Sequence, residues 1–591
     1  RVSMKNKKSN YFLRNSSFGF GLVDSIVSIS LLGIVVSYSI YFATKRMDIL
    51  FSSNLNRSIN KEIKRDIDLL RSDMWAMGLN TSEKKYLIDD NSCMDIEGQI
   101  IGLPNWDITE TRPNLNSPAP PVGNNQKIQY WWPDQEKGKI FNVLLLLKKG
   151  SVVYKKKKSI LPNYGVFDEK RYFSTEKIDT SFFQFKKKRI KFLICEEMWS
   201  DEFIKKNKSI KPDLLVVINA SPYEINKFSK RQNIAKKNVN AYNSDLIYLN
   251  HIGCQDELIF DGGSFFMNKS KKIIYQENFF CECERILDLN RIVTDRKPKL
   301  FKNKIGLLYN ALVYSLKNYM KDNSFKDVTI GLSGGIDSAL CTVIATDAVG
   351  SKNVRPVFMP TIFTSDQSEF DSIDLSKNLN LEMIKIPIEL LRKKILSNLN
   401  FLFKNLSDDI TEENIQSRIR GLLLMALSNK FNSLLIATGN KSEVSVGYST
   451  LYGDMCGGFS LIKDIYKTQV IELVKWRNEY FPENTALKKL DLIPQNIITK
   501  EPTAELKLNQ KDTDSLPDYE ILDKILEFLI DKNYDIKKIK ALGFNEGMIK
   551  RIWKMVKNSE FKRYQSAIGP KVSCMSFDKD RRFPITNKFI I

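Results

Sequence analysis

The sequence predicts an α/β protein with two successive sheet domains, the second of them a doubly wound parallel sheet. Three observations carry that prediction. Short runs at 140–147, 190–194, 214–218 and 246–249, apolar but for Asn142 and Lys191, each stop at polar residues. That is the pattern of buried strands whose ends hold chemistry. A glycine-rich turn (Gly331, Leu332, Ser333, Gly334, Gly335, Ile336, Asp337, Ser338) stands between the apolar run at 328–330 and a helical pattern from Ala339. The length of 591 residues, 42% of them hydrophobic, allows about three to four packed domains.

Composition narrows the chemistry. Eight cysteines are too few for a disulfide scaffold in a chain of this length. The single histidine, His251, excludes a Ser-His-Asp triad and any multi-histidine metal centre. Acid–base work must therefore fall to Lys, Glu, Asp, Cys or Tyr. The net charge of +22 is concentrated between residues 137 and 300, in runs such as 155–158 and 186–188. Such runs are usually solvated faces, and no nucleic-acid partner is expected.

Residues 1–136 have a different texture. Basic residues (Lys5, Lys7, Lys8, Arg14) lead into Gly19, and residues 25–44 carry no charge before Lys45 and Arg46. That span is long enough to cross a hydrocarbon core, so a transmembrane helix is expected at about 20–44. The stretch from Gly19 to Val35 resembles the class III signal of type IV pilins, with Asp24 where that family carries Glu. Residues 102–136 are rich in Pro and Asn and read as a linker. A pilin-like membrane anchor carrying a passenger is the alternative reading of the whole chain. The simplest reconciliation is a fusion or read-through with its junction near Lys137.

Residues 137–300 bring together Lys158, the stretch 160–173 beginning Ile-Leu-Pro-Asn-Tyr164, Cys195 with Glu196 and Glu197, and Ser221. A thiolate is the best side-chain nucleophile but needs a base or a cation to form near neutral pH. These blocks together resemble the nitrilase-like glutaminase domain of glutamine-dependent NAD synthetases. The resemblance implies a Glu-Lys-Cys triad with Lys158 and Cys195 as catalytic residues. It implies glutamine contacts at Tyr164, Ser221 and Lys227. No triad glutamate in the family's context precedes Lys158. The domain is therefore expected to be incomplete, and its glutaminase activity absent or weak.

Residues 301–591 speak most clearly. A glycine-rich turn between strand and helix aims backbone N–H groups at one point and binds phosphate. No Lys follows the glycines, so this is not a Walker loop. The turn resembles the pyrophosphate loop of ATP pyrophosphatases, the adenine nucleotide alpha hydrolase-like fold. Later blocks follow in order: Glu413 to Arg420, Thr438 to Glu443, Tyr448 to Asp454, Lys463 to Lys467, Pro502 with Thr503, and Lys562. In this order they resemble NAD synthetase over essentially all of 301–591. The resemblance implies ATP-dependent amidation of deamido-NAD through an adenylate, with ATP and Mg²⁺, in the cytoplasm and in a homo-oligomer. It implies ATP contacts at residues 331–338, Thr438, Lys467 and Thr503. Deamido-NAD contacts are implied at Asn414, Arg418, Glu443, Asp454 and Lys562, and Mg²⁺ ligands at Asp337 and Glu443.

Overall fold

The computed structural model describes residues 139–148, 151–288, 303–482, 485 and 487–586, with the strand backbones Cys93–Met94, Ile100–Ile101 and Gln126–Glu136. The chain divides into two units. One comprises residues 1–71 and 90–117; within it the structure describes only an antiparallel pairing of Cys93–Met94 with Ile100–Ile101. The other, residues 72–89 and 118–591, carries everything that follows. The pilin-like stretch and the helix expected at about 20–44 lie outside the described residues. Among the described residues, no helix is long and apolar enough to cross a membrane.

Strands Gln126–Glu136, Lys139–Lys148 and Ser151–Lys157 form an antiparallel meander. The linker expected over 102–136 is thus corrected at its end. The β-branched and aromatic residues Ile128, Tyr130, Trp131 and Trp132 favour an extended chain over a loop. A six-stranded sheet follows. Its order is Ile273–Gln276, Phe265–Met267, Asp245–Asn250, Leu214–Asn219, Lys188–Ile194, Phe183–Phe185, and the Lys188, Leu214 and Asp245 strands run parallel.

Alternate side chains of these parallel strands serve two cores. Phe192, Ile194, Val216 and Ile218 pack toward Leu144 of the meander. Leu193, Leu215, Val217 and Leu246 pack under Ala235 and Val239 of helix Lys227–Tyr242 and Phe203 of helix Asp201–Asn207. Leu214–Asn219 lies between them and is buried at every position, as its unbroken apolar run requires.

The second sheet has five strands, all parallel. Its order is Ile384–Lys385, Val354–Phe358, Val328–Gly331, Leu434–Ala437, Phe459–Ser460. In chain order this is 3-2-1-4-5, the doubly wound arrangement, and it reverses between Val328–Gly331 and Leu434–Ala437. Leu308, Leu312 and Leu316 of helix Lys304–Asp322 and Leu340, Val343 and Ile344 of helix Ile336–Val349 pack in one core with Val328, Ile330 and Ile436. Tyr223 and Ile259 of the first half join this same core. Two backbone bonds cross beside them, Ile225 N–H to Val572 O at 2.8 Å and Lys571 N–H to Glu257 O at 2.8 Å.

One buried ion pair ties three helices around this core. Asp347 accepts from Arg477 Nε at 2.7 Å and from Tyr309 Oη at 2.7 Å. Arg477, on helix Lys467–Glu479, also donates to Lys489 O and Leu487 O at 2.9 and 3.0 Å. Removing one member of such a pair strands the other charge in a low-dielectric interior. Arg477→Leu is expected to cost about 3–5 kcal/mol, read as a lower denaturant midpoint. An unchanged midpoint would refute this account of Asp347.

Candidate active sites

The strand order opens a crevice at the carboxyl ends of Val328–Gly331 and Leu434–Ala437. A cavity of about 320 Å³ lies there. Residues 331–338 form one wall, as the sequence predicts, with Thr438, Glu443, Lys467, Thr503 and Asp454 also lining it. Gly334 has φ +79°, and a Cβ there would fall 2.6 Å from Ser368 O, so this position accepts only glycine. The loop closes on itself through hydroxyls. Ser338 Oγ receives the Ser333 N–H at 3.2 Å and donates to Gly335 O at 2.9 Å. Helix Ile336–Val349 starts at the Gly335 cap with no side chain over its N–H groups, leaving them free for an anion.

Charge in the cavity is tightly arranged. Asp337 accepts from Asn440 Nδ2 at 2.9 Å and pairs with Lys467 Nζ. Asn440 also caps helix Lys441–Val446, exchanging bonds with Glu443, so the helix brings Glu443 to the same point. Burial, reinforced by Asp337, raises the Glu443 carboxyl well above its usual range. Two carboxylates in one desolvated place repel each other, and a divalent cation beside phosphates would relieve that repulsion. The pair therefore fits Mg²⁺, which binds through one or two carboxylates, phosphates and water. No group of three or more His, Cys, Asp or Glu fit to hold a metal occurs among the described residues.

The other predicted contacts gather on the loop 447–454. Thr450 Oγ1 donates to Asn414 Oδ1 at 2.7 Å, and Arg418 Nε donates to Leu451 O at 3.3 Å. Lys562 Nζ donates to Gly447 O and Ser449 O at 2.8 and 2.7 Å, and Asp454 accepts the Thr450 N–H at 2.7 Å. Asp454 and Glu443 line the cavity; Asn414, Arg418 and Lys562 support the loop from outside its lining. The Thr503 hydroxyl is engaged with Gln510 O at 2.6 Å. The structure adds residues that the sequence reading missed. Asp512 takes bonds from Tyr519 Oη at 2.9 Å and Tyr448 Oη at 3.2 Å. Arg420 lines the cavity, with burial lowering it to about 10. Asp512 stands in an unremarkable polar run, whereas Arg420 closes the block Glu413 to Arg420, where its type alone assigns it no role.

The second site lies at the strand ends of the first half. Cys195 follows strand Lys188–Ile194 with φ +45°. For a side chain this is a strained conformation of the kind that clusters at functional sites. Lys158 is buried, and its Nζ donates to both oxygens of Glu169 at 2.6 and 2.7 Å. Burial pushes the Cys195 thiol up; Lys158 opposes this, while Glu169 and Glu196 add to it. Tyr164 Oη donates to both oxygens of Glu196 at 3.0 Å. Ser221 is fixed by its N–H to Asn250 Oδ1 at 2.9 Å and by Arg231 Nε to its hydroxyl at 3.1 Å. Lys227 pairs with Glu224 at 3.2 Å. The structure thus brings Lys158, Cys195 and Tyr164 to one site and reveals Glu169 as the carboxylate on the lysine.

This fold and these two sites define an amide-forming ligase: an ATP-pyrophosphatase sheet joined to a nitrilase-like domain. A family model described as NAD synthase matches residues 308–566. The glutamine-dependent NAD(+) synthetase of Acinetobacter baylyi is 39% identical over 506 residues, 83% of this chain and 91% of that protein. That of Thermotoga maritima is 38% identical over 486 residues, 76% and 83% of the two chains. A solved glutamine-dependent NAD+ synthetase from Acinetobacter baumannii, in complex with ADP, superposes with a TM-score of 0.60 at 37% identity. It covers 77% of this chain and 84% of its own. The chain belongs to the glutamine-dependent NAD(+) synthetase family.

Burial raises Asp454 from 3.8 to about 6. A raised carboxyl favours folding when protonated; that advantage is complete below the unfolded value and is lost as pH rises toward 6. Relative to Asp454→Asn, the wild type is expected to lose about 2–3 kcal/mol between pH 4 and pH 6 and to stay level above. Urea midpoints across that range check it, and parallel curves would refute it.

Proposed function

We propose that this protein makes NAD from deamido-NAD, ATP and ammonia. The observation that carries the reading is the cavity in which the self-closed Ser333–Ser338 loop, with Asp337 at an uncapped helix start, faces Glu443 and Lys467. The nicotinate carboxylate attacks the α-phosphorus of ATP, the bond to the bridging oxygen breaks, and pyrophosphate leaves. Ammonia then adds to the acyl carbon, loses a proton, and AMP departs. Loop N–H groups at 331–338 and the hydroxyls of Ser333 and Ser338 hold the phosphates. Lys467 meets negative charge as it develops, and Thr438 and Thr503 complete the ATP wall. Asp337 and Glu443 would hold Mg²⁺, which would neutralise triphosphate charge. Asn414, Arg418, Glu443, Asp454 and Lys562 form and brace the deamido-NAD side. Ammonia is already nucleophilic, so no histidine is required.

The nitrogen source follows from the second site. Among the described residues, the carboxylates facing Cys195 are Glu169 and Glu196. Both oxygens of Glu169 are held by Lys158, and both of Glu196 by Tyr164. Among the described residues, neither carboxylate takes a bond from the Cys195 thiol in this arrangement. Glutamine, recognised by Tyr164, Ser221 and Lys227, is therefore a poorer nitrogen donor than ammonium. A homo-oligomer is favoured by exposed apolar residues on helices Glu389–Phe403 and Ile410–Phe431, among them Leu390, Phe401 and Leu422. Membrane anchoring rests on the uncharged run 25–44 alone.

The test uses the full chain with deamido-NAD, ATP, Mg²⁺ and either ammonium or glutamine, with NAD formation followed enzymatically. Ammonium should support turnover, and glutamine at least tenfold less. Asp337→Ala should lose at least a hundredfold in adenylate formation while still binding deamido-NAD. No NAD with ammonium would overturn the main reading; equal rates with glutamine would overturn the ranking of donors.

A further inference from the structure

One buried carboxylate links both halves of the second site. Glu197 has no exposed surface. Its Oε1 accepts from the Ser159 N–H at 2.8 Å and from Lys156 Nζ at 2.9 Å. Its Oε2 accepts from the Ile194 N–H at 2.8 Å. These donors are the residue after Lys158, the residue two before it, and the residue just before Cys195. The Ile194 bond lies at the base of the left-handed turn that presents the thiol.

Around Glu197 lies a set of charges that the chemistry above does not use. Lys156 also pairs with Asp179 at 3.2 Å, and Lys191 lies 3.6 Å from that same carboxylate. Lys191, three residues before Ile194 on the same strand, donates to Asp179 O and Ser181 O at 3.0 and 2.6 Å. Ser159 Oγ accepts the Asp179 N–H at 3.1 Å. The Phe203 ring stands 5.2 Å from the Lys156 ammonium and 5.6 Å from that of Lys191. Burying charges at this density is costly, and a hydrophobic cluster of the same volume would often be as stable. What a carboxylate supplies and a leucine does not is several directed bonds from a rigid point.

We propose that Glu197 is a positioning residue that clamps Lys158 against Cys195 by holding the backbone beside each, with Lys156, itself anchored by Asp179 beside Lys191, holding the carboxylate in place. The inference rests on the glutaminase-type reading of this site. It concerns the geometry of the pair, not the turnover rate with glutamine. Lys158 favours the thiolate only from close range, and small displacements of a catalytic group cost large factors in rate. The charged and titratable groups facing the thiol are Lys158, Glu169, Glu196, Tyr164, Arg231 and Tyr248. None of them bonds to Glu197, although its charge reaches Glu169; Glu197→Asp, which keeps that charge, separates backbone position from charge.

The test compares the full-length wild type with Glu197→Gln and Glu197→Asp. Alkylation of Cys195 by chloroacetamide is followed against pH by peptide mass mapping, with ammonium-supported NAD synthesis as the control for folding. Glu197→Gln loses the Ile194 or the Ser159 acceptor. It should slow labelling at neutral pH at least tenfold and move the profile to higher pH. Glu197→Asp keeps the charge but is one methylene shorter, and it should fall between. A merely structural role predicts unchanged labelling in folded variants, and wild-type rates and profile in either variant would overturn the clamp. If the Gln variant lacks ammonium-supported synthesis, the Asp variant decides by the same criterion. A glutamine-analogue electrophile is run in parallel on the wild type. Failure to label Cys195 with it, while chloroacetamide succeeds, overturns the glutaminase-type reading and leaves the clamp to be judged on its own data.

Discussion

The synthetase half depends on how Asp337 is held. Its carboxylate is the point where three chain segments distant in sequence meet: the loop after the first strand, Asn440 after the fourth, and Lys467 at the start of the helix after the fifth. The crevice exists because the sheet reverses order there, but strand order alone gives only a gap. Asn440 converts the gap into a site by bonding Asp337 with its amide while capping the helix that carries Glu443. A loss at Asp337 therefore leaves Lys467 and the Asn440 amide without this partner.

The two halves are not beads on a linker. Tyr223 and Ile259 are buried in the same core as Leu308 and Leu312, and the strip 571–573 is shared. Val572 O takes the Ile225 N–H, and Lys571 N–H meets Glu257 O. On its other side, Asp464 accepts the N–H groups of Val572 and Ser573 at 2.8 and 2.7 Å and pairs with Lys441 at 3.0 Å. Lys441 opens the helix of Glu443. The backbone that supports the Ser221 side of one site is thus continuous, through buried contacts, with the helix that supports the other. Charged contacts of this kind, buried and fully bonded, hold one arrangement against sliding more strictly than apolar packing does.

Much of this was legible in the sequence, for identifiable reasons. The parallel strands announced themselves because a strand buried on both faces must be continuously apolar, as at 214–218 and 434–437. The phosphate loop was legible because its glycines answer a steric demand, met at Gly334 by the backbone of Ser368. Asn414, Arg418, Asp454 and Lys562 were found as a set through motif order, but order did not tell which of them face the cavity. Asp512, Glu169 and Glu197 were missed or left without a role. Each acts through a partner distant in the chain, Tyr448, Lys158 and Ser159, and no local period encodes such a pairing. The strand at Gln126–Glu136 was hidden by the Pro- and Asn-rich context around it.

A chain with one histidine must move charge by other means, and the two sites do so in opposite ways. In the synthetase cavity, burial and the neighbouring Asp337 raise the Glu443 carboxyl, a tension that a cation beside phosphates would relieve. In the nitrilase-like site, the lysine is already neutralised by Glu169. Its help to the thiol is therefore weakened before any substrate arrives. Both sites hold a lysine–carboxylate pair, but the first crowds a further buried carboxylate, Glu443, beside it. That difference is the physical reason to place the working chemistry in the cavity at Gly331–Ser338. It also explains why the position of Lys158, more than its charge, limits what Cys195 can do.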